Sequence, residues 1–389
     1  MGVGPSGEIW IGDFRPQRPR FTIKQEQSLA WLAAAHARAE WTRTNQVGLS
    51  ESFRERLEKV IHRVCCAPSQ IASRGSELSD FEHTRWNEMA IYRLDENPQG
   101  RGMRARTEFF ANAVANYFDR AYAEEVEPPG DLIHVTCTGY LSPSGAQRLV
   151  ARRGFSDRTR VTHAYHMGCY AAFPALRIAG GFAHSPSSFR SHAGARIDIA
   201  HTELCTLHLD PSQHSPEQLV VQSLFADGYI RYSVAQASDR PGLKVLALDE
   251  AILPDSTASM SWMCSEWGMQ MTLARDVPER IAKALLLFLR RLYARAGLDL
   301  AERRSETFFA VHPGGPKIID RVRDVLELSE AQVSMSREVL RRFGNMSSAT
   351  LPHVWGELVA APEVPTGSIV ASLAFGPGLT VCGALMVKQ

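Results

Sequence analysis

The sequence predicts an α/β protein built in layers and made of two similar halves. Predicted strands and helices alternate in both halves, and several predicted strands are continuous apolar runs, which indicates a sheet covered on both faces. The chain has 389 residues, which exceeds the size at which one hydrophobic core usually stops growing, so two halves or two domains are expected. We place these halves at residues 1–240 and 241–389.

The first half is predicted to open with a strand and then to alternate helices with strands. Ile9–Phe14 alternates apolar and polar residues, and Thr22–Gln25 has the spacing of a capping box, which predicts a helix to about Thr42. An apolar run from Leu132 predicts a buried strand. The other predicted elements are the helices Arg54–Val64, Met103–Ala123 and Gly145–Arg153 and the strands Val161–Met167, Ala195–His208 and Tyr229–Ala235.

The second half repeats this alternation. Leu243–Leu253 predicts a strand, and Pro278–Ala296 has the apolar stripe of a long amphipathic helix. Phe308–Val311 predicts a short strand that runs into the turn HPGGP. The remaining predicted elements are the helices Ile318–Leu326 and Val333–Phe343, the second closed by Gly344, and two apolar strands at the C-terminus joined by Gly-Pro-Gly.

Composition excludes several classes of function. The 43 basic and 42 acidic side chains leave a net charge of +1, so no overall field favours nucleic acid or an acidic membrane. The seven cysteines are odd in number and lack zinc spacing, which favours reduced thiols in a cytoplasmic protein. The N-terminus lacks a secretory pattern, and the most apolar run, Ala282–Leu289, is too short to span a membrane.

Three residues in distinctive turns are candidates for chemistry. Cys169, in MGCYAA, is predicted at the start of a helix, where the helix dipole favours a thiolate. His312 follows a strand in AVHPGGP, and Asn345 follows Gly344 in FGNMSSAT. Each residue also has a purely structural interpretation: Cys169 as a packing residue, His312 as a histidine at a strand end, and Asn345 as a helix N-cap. Together they form a nucleophile, an imidazole and an amide donor.

Two chemistries use such a set. One is proteolysis, and the 143 residues between Cys169 and His312 fit the spacing of papain-like enzymes. The local sequence GCYAA, however, departs from the signature around the cysteine of those proteases. The other chemistry is the condensation of acyl thioesters.

The condensation reading is carried by a resemblance to a known family. The segments MGCYAAFPALRIA, SLFADG, AVHPGGPKIID, REVLRRFGNMSSAT and AFGPGLT occur in the order found in type III polyketide synthases. The sequence resembles the chalcone-synthase-like branch of the thiolase superfamily from about Arg54 to the C-terminus, and its departures from the plant enzymes suggest a bacterial-type member. The resemblance implies a thiolase-like five-layered αβαβα fold, a homodimer, and no metal or redox cofactor.

The resemblance also implies the chemistry. Cys169 would take an acyl starter from acyl-CoA and hold the growing chain, while His312 and Asn345 would polarise the malonyl-CoA thioester during iterative decarboxylative Claisen condensation. One alternative is a ketoacyl-carrier-protein synthase, which performs a single condensation with the same three residues. A second alternative is a non-catalytic homologue, although such a protein would have no reason to keep Cys169, His312 and Asn345. HPGGP and GNMSS favour the iterative enzyme.

By the same resemblance, a set of residues shapes the substrate cavity. Trp262 and His208 would shrink its floor, while Met271 would reshape its wall and Ser142 would cross the dimer interface. We therefore expect a pyrone or resorcinol made from a fatty or small acyl starter. The full set of expected substrate-binding residues is Phe225, Met271, Ser142, Cys205, His208, Trp262 and Ser347.

The coenzyme A phosphates need a basic entrance despite the neutral total charge. The segment EKVIHRVCC resembles the family's basic helix at the mouth of the tunnel, with Arg63 and Lys59 as the expected contacts and His62 nearby. A solvated helix face is the other reading of Lys59. An acyl carrier protein is a further possible donor of the starter.

Overall fold

A computed structural model describes residues 8–45, 50–124, 127–185 and 196–389. The strands are β1 Ile9–Gln17, β2 Phe21–Lys24, β3 Ser73–Ser76, β4 Asp131–Thr136, β5 Arg160–Tyr165, β6 Ile197–Leu204, β7 Asp227–Ala235, β8 Gly242–Ile252, β9 Met260–Cys264, β10 Met269–Leu273, β11 Phe308–Val311, β12 Ile369–Gly376 and β13 Thr380–Lys388. The helices are α1 Gln25–Thr44, α2 Ser50–Val64, α3 Met103–Ala121, α4 Gly145–Arg153, α5 Ala172–His184, α6 Pro216–Leu224, α7 Val277–Arg295, α8 Leu300–Arg303, α9 Pro316–Leu326, α10 Glu330–Phe343 and α11 Thr350–Ala360.

One mixed sheet runs through the molecule, and its pairing repeats about the centre. In the described residues it has nine strands, in the order β11-β12-β13-β8-β1-β7-β6-β4-β5. β1 and β8 pair antiparallel in the middle. On one side β7 and then β6 follow antiparallel and β4 parallel, and on the other β13 and then β12 follow antiparallel and β11 parallel. This repetition confirms two similar halves, while the division at residue 240 stays a prediction.

Helices α5 and α11 form the middle layer between the two parts of the sheet. Their side chains join those of both parts in one buried cluster, in which Phe173 and Trp355 meet edge to face with ring centroids 5.9 Å apart. The sequence around Phe173-Pro174 therefore supplies the contact between the central helices. Alanines on α5 keep this layer thin, because small side chains allow close approach.

Outer helices cover the far faces of the sheet. A second apolar cluster joins α1, α2 and α3 to β4, β6 and β7. A third joins α7, α9 and α10 to β11, β12 and β13. The molecule therefore has five layers: outer helices, one part of the sheet, the central helices, the other part of the sheet, and outer helices again. This is the predicted thiolase-like five-layered αβαβα fold.

The predicted elements are largely confirmed, with three corrections. The capping box at Thr22 is wrong, because Thr22 lies in β2, where it pairs with Gly75, and α1 begins without a side-chain cap. The predicted strand Ala195–His208 ends at Leu204, where a 3-10 turn begins, and Ala195 lies outside the described residues. The predicted strand Val161–Met167 ends two residues earlier than expected. No helix in the described part of the chain has the length and apolar character to cross a membrane.

Candidate active site

Cys169 lies in a tight turn that two glycine motifs build together. Gly168 has φ +75°, and a Cβ there would lie 2.9 Å from the Pro377 ring. A Cβ on Gly376 would lie 2.3 Å from the Tyr170 ring. Side chains at either glycine would push the turn apart, so MGC and FGPG depend on each other although they are distant in sequence.

The helix that follows the cysteine begins later than the sequence predicts. Gly168–Tyr170 forms a 3-10 turn, and α5 begins at Ala172. Pro174 is therefore in the first turn of the helix, as predicted, where a missing N–H costs nothing. The sulfur precedes the helix instead of sitting on its first turn.

Asn345 is fixed at the junction of α10 and α11. Gly344 closes α10 with φ +72°, as predicted. The backbone of Asn345 pairs with that of Phe225 as in a parallel sheet. The Asn345 N–H donates to Leu224 O at 2.9 Å, and the Asn345 carbonyl accepts from Ala226 N–H at 2.9 Å. Two residues predicted separately as catalytic and substrate-binding are thus backbone neighbours.

The Asn345 side chain uses its two ends differently. Its Oδ1 accepts the Ser347 backbone N–H at 2.9 Å and lies 3.4 Å from the Thr350 hydroxyl. Its Nδ2 lies 3.4 Å from Gly314 O, in the HPGGP turn, and the side chain is close enough to the Cys169 thiol to lower its pKa. The N-cap reading of Asn345 is wrong, because Met346 is the N-cap of the 3-10 turn that follows and Ala349 is the N-cap of α11.

His312 ends β11 with a fixed backbone and an unpartnered ring. Its N–H donates to Leu373 O at 2.7 Å, and its carbonyl accepts from Gly314 N–H at 2.8 Å. Both ring nitrogens are buried, and neither has a hydrogen-bond partner among the residues that the structure describes. Burial lowers the pKa of His312 to about 3, so the imidazole is neutral.

The thiolate that the sequence predicts at Cys169 is wrong for this structure. Burial is the main cause that raises the pKa of the Cys169 thiol to about 12. The Ser347 hydroxyl opposes this rise, the nearby Glu203 carboxylate adds to it by a smaller amount, and Asn345 opposes it more weakly still. The ring of His312 bonds to no group of the described chain. Burial of Cys169 raises its pKa by more than the helix dipole, which the sequence suggested, would lower it. Cys169 is therefore a thiol before substrate binds.

Ser347 links this thiol to a second one that sequence reasoning missed. The Ser347 hydroxyl lies 3.8 Å from Cys169 Sγ and 3.1 Å from Cys137 Sγ. Ser347 has φ +47°, which is unusual for a residue with a side chain. Cys137 lies just after β4, in CTGYLSPSG, so a cysteine directly following a buried strand was the available signal.

The Glu203 carboxylate, also missed, lies behind Cys137. It is fully buried at the end of β6 and accepts from Cys137 N–H at 3.1 Å and from the Thr138 hydroxyl at 2.8 Å. The Ser348 hydroxyl also donates to it. Desolvation raises the pKa of Glu203, against the effect of these donors. An acidic residue near the end of a strand with an otherwise buried pattern was the signal that could have found it.

Five of the predicted substrate-binding residues line one cavity of about 230 Å³. Trp262 and Met271 are direct cross-strand partners in the β9–β10 hairpin, so their side chains share a face. The cavity adjoins a small apolar cluster against which Cys169 packs. The five predicted residues are Cys205, His208, Phe225, Trp262 and Met271.

Two aromatic residues of the cavity, His208 and Trp262, are anchored by hydrogen bonds. His208 Nε2 donates to Thr138 O at 2.8 Å, and His208 Nδ1 accepts from Met269 N–H at 3.1 Å. The Trp262 indole N–H donates to Cys137 O at 2.6 Å. Burial lowers the pKa of His208 to about 3, so this ring is a neutral wall and not an acid.

The other two predicted substrate residues lie elsewhere. Ser347 sits between the two thiols and not on the wall of this cavity. Ser142 is exposed in the loop before α4 and does not line the cavity of its own chain. Its predicted role across a dimer interface stays a prediction.

The predicted coenzyme A contacts lie on the exposed face of α2. Lys59, His62 and Arg63 are exposed, and neither Lys59 nor Arg63 has an ion-pair partner in the described ranges. Lys317, at the start of α9, lies close enough to the end of α2 to affect the Cys66 thiol. This third cation directly follows HPGGP and was not predicted.

A five-layered thiolase-like fold that brings a cysteine, an asparagine and the histidine turn together defines the class of acyl-transferring condensing enzymes. The comparisons with known proteins narrow this class. Residues 106–236 match the family model "Chalcone and stilbene synthases, N-terminal domain", and residues 245–388 match the corresponding C-terminal domain. The chain belongs to the chalcone and stilbene synthase family and is a type III polyketide synthase.

Individual relatives agree with the family. Type III polyketide synthase 21 of Oryza sativa subsp. japonica is 31% identical over 327 residues, which covers 78% of this chain and 80% of the relative. Bisdemethoxycurcumin synthase of the same plant is 31% identical over 301 residues, with 72% and 73% covered. These matches disfavour the alternative of a single-condensation ketoacyl-carrier-protein synthase.

Solved structures share the fold over nearly the whole chain. The C-terminal type III polyketide synthase domain of Steely1 from Dictyostelium has a TM-score of 0.79 at 21% identity, with 98% of this chain and 99% of that chain covered. PKS-I of the brown alga Ectocarpus siliculosus has a TM-score of 0.77 at 22% identity, with 99% and 98% covered. None of these relatives bears on the bacterial-type expectation, which stays a prediction.

Proposed function

We propose that this enzyme loads an acyl starter from acyl-CoA onto Cys169 and extends it by iterative decarboxylative condensation with malonyl-CoA. The observation that carries the proposal is the position of Asn345. Its side chain is within reach of the Cys169 thiol and also contacts Gly314 of the turn that carries His312. This position supports a site in which the Cys169 nucleophile acts together with two groups, Asn345 and His312, on a thioester oxygen.

In the loading step the thiol attacks the starter thioester and coenzyme A leaves. The thiol must lose its proton as the new carbon–sulfur bond forms, because burial favours the protonated state. We assign His312 as the acceptor of that proton, since its neutral ring has a nitrogen available. The coenzyme A sulfur leaves as a thiolate and takes up a proton.

In the extension step the malonyl carboxylate leaves as carbon dioxide, and its bonding electrons pass to the thioester enolate. The enolate oxygen accepts hydrogen bonds from Asn345 Nδ2 and from the N–H of neutral His312, which lowers the barrier. The enolate carbon then attacks the Cys169 thioester. The cysteine sulfur leaves and is protonated again.

The cavity supports a short product. Its volume of about 230 Å³, with Trp262 and Met271 side by side on one wall, favours few extensions before ring closure. We therefore infer a pyrone- or resorcinol-type product from a fatty or small acyl starter. Starter delivery by an acyl carrier protein belongs to the same proposal.

A homodimer is part of the proposal and is supported by an exposed sheet edge. β5 is the last strand of the sheet in the described chain, and an unpaired edge usually needs a cover. The exposed Ser142 loop leads into α4, next to that edge, where His163 on β5 bonds to the Ser144 hydroxyl at 2.9 Å. Pairing of two β5 strands would bring each Ser142 towards the other subunit.

The test is an assay of the purified enzyme with malonyl-CoA and a panel of acyl-CoAs, followed by mass spectrometry of the products. The proposal predicts triketide or tetraketide pyrones or resorcinols from aliphatic starters. Conversion of aromatic starters to chalcones, with none of the aliphatic starters used, would overturn the product assignment. A single β-ketoacyl product would overturn iterative extension.

A further inference from the structure

A second cavity, of about 340 Å³, lies between the end of β1 and the outer face of α11. It shares no lining residue with the cavity beside Cys169. Its volume is within the range of small-molecule sites, at the lower end. The residues that matter below are Phe14, Gln17, Arg18, Phe343, Met346 and His353.

The floor of this cavity is buried and carries one free hydrogen-bond acceptor. Ile230 and Met346 are buried there, and His353 is 5% exposed. His353 Nδ1 lies 2.8 Å from Ala349 O, so this nitrogen carries the hydrogen and donates it. Burial lowers the pKa of His353 to about 4, with a smaller contribution from Arg342 and Arg18, so the ring is neutral. Its Nε2 is therefore a hydrogen-bond acceptor, and no residue of the described chain donates a hydrogen bond to it.

A second polar atom of the lining also lacks a partner. Gln17 Oε1 is buried and accepts no hydrogen bond from the described residues. Buried polar atoms without partners are uncommon because each one costs free energy. Two unpartnered groups on the lining of one cavity point to an occupant that carries a donor.

The rim carries an uncompensated positive charge. Arg342 is paired with Glu357 at 2.9 Å. Arg18 has no ion-pair or hydrogen-bond partner in the part of the chain that the structure describes, and it contacts only the Phe343 ring, 4.8 Å from the ring centroid. Arg342 stacks on the same ring at 4.9 Å. The mouth of the cavity therefore combines an aromatic surface with a free guanidinium.

The geometry points to a binding site for a small aromatic carboxylate that also bears a hydroxyl group. Its carboxylate would pair with Arg18 at the rim, its ring would lie against Phe14 and Phe343, and its hydroxyl would donate to His353 Nε2 or Gln17 Oε1 on the lining. A guanidinium pairs well with a planar carboxylate. The site is independent of the proposed catalytic roles, since its test measures binding alone.

The test is isothermal titration calorimetry of the full-length enzyme with 4-hydroxybenzoate, in the presence of saturating coenzyme A to occupy the substrate entrance. We expect one molecule bound per chain. Arg18→Gln should weaken binding about tenfold or more, because a hydrogen bond to a charged group is lost. Arg15→Gln, a change at a nearby exposed arginine that does not line the cavity, should leave binding unchanged.

Two further measurements separate the parts of the ligand. Benzoate lacks the hydroxyl and 4-hydroxybenzamide lacks the charge, and each should bind several-fold more weakly, about twofold to tenfold for the neutral hydrogen bond. Ala360→Trp, at an exposed position of the lining, should block entry without disturbing the core. Equal affinity in the Arg18→Gln variant, displacement by coenzyme A, or no binding at millimolar ligand would each overturn the proposal.

Discussion

The backbone N–H of Ser347 donates to Oδ1 of Asn345 at 2.9 Å. This bond settles which end of the Asn345 amide faces the nucleophile, because an oxygen held by an N–H leaves the NH₂ group to point the other way. The NH₂ end then lies 3.4 Å from Gly314 O, and the side chain lowers the pKa of the nearby Cys169 thiol. The amide is fixed as a donor before any substrate arrives, which is what stabilisation of a developing oxyanion requires.

Replacement of Asn345 by aspartate tests this orientation. Asn345→Asp keeps the acceptor for Ser347 but removes the donor, so kcat for malonyl-CoA decarboxylation should fall by about 10²–10³. The measurement is carbon dioxide release together with product formation. Thr350→Val, which removes the weaker 3.4 Å contact to Oδ1 and a 2.8 Å bond to Ser347 O but leaves the amide donor in place, is the control and should retain most of the activity. Equal losses in the two variants would show that Asn345 acts through the fold alone.

The protonation state of Cys169 predicts its reactivity with pH. Because burial raises the pKa of this thiol to about 12, the thiolate fraction at neutral pH is small and grows as pH rises. Alkylation of Cys169 by iodoacetamide should therefore accelerate by roughly tenfold per pH unit across the alkaline range. Peptide mass spectrometry measures the rate at each cysteine. A rate that is already constant from pH 7 upward would mean a resting thiolate.

Removal of the Glu203 charge should shift that profile towards lower pH. The carboxylate raises the pKa of Cys169, so Glu203→Gln should lower it and speed alkylation at a given pH. Glu250→Gln is the matched control, because Glu250 acts on the Cys382 thiol instead. An unchanged Cys169 profile in the Glu203 variant would exclude this electrostatic coupling.

Trp262 is predicted to limit product length. Trp262→Gly removes a large side chain from the cavity wall beside Met271, so longer polyketides should accumulate. Trp262→Phe keeps most of the bulk but loses the N–H that donates to Cys137 O, and it should retain the original product length. Mass spectrometry of the products compares the two variants. The same product length in both variants and the wild type would mean that another wall residue sets the limit.

The exposed cations of α2 are predicted to bind coenzyme A phosphates. Lys59→Ala and Arg63→Ala should raise KM for acyl-CoA and malonyl-CoA several-fold and leave kcat close to that of the wild type, since they act on binding and not on the reacting atoms. The increase should shrink at high salt. Arg54→Ala, on the same helix but paired with Glu58 at 2.9 Å, is the control. A lower kcat with unchanged KM would contradict this role.

The sequence was informative where local turns determine the site. Cys169 and Asn345 each follow a glycine with positive φ, and His312 precedes the Pro-Gly-Gly-Pro turn, so their segments could be recognised. Trp262 and Met271 could be assigned to the cavity, but their direct pairing across β9 and β10 came only from the structure.

Long-range effects could not be predicted. Thr22 has the local spacing of a cap, yet β2 pairs with β3, some fifty residues later, and takes Thr22 into a strand. The pKa of Cys169 depends on burial between both halves and on Glu203, neither of which is visible in the MGCYAA segment. Likewise, Cys137 approaches Ser347 only because β4 and the turn after α10 meet in space.

The central claim is that Cys169 carries the acyl chain, and the most direct measurement is mass spectrometry of the enzyme after incubation with an acyl-CoA starter alone. Trypsin places Cys137 and Cys169 in different peptides, so the position of the acyl group can be read directly. We predict the acyl mass on the peptide that contains Cys169, and its absence in Cys169→Ala. An acyl group on the Cys137 peptide alone, or an adduct that persists in Cys169→Ala, would contradict the account.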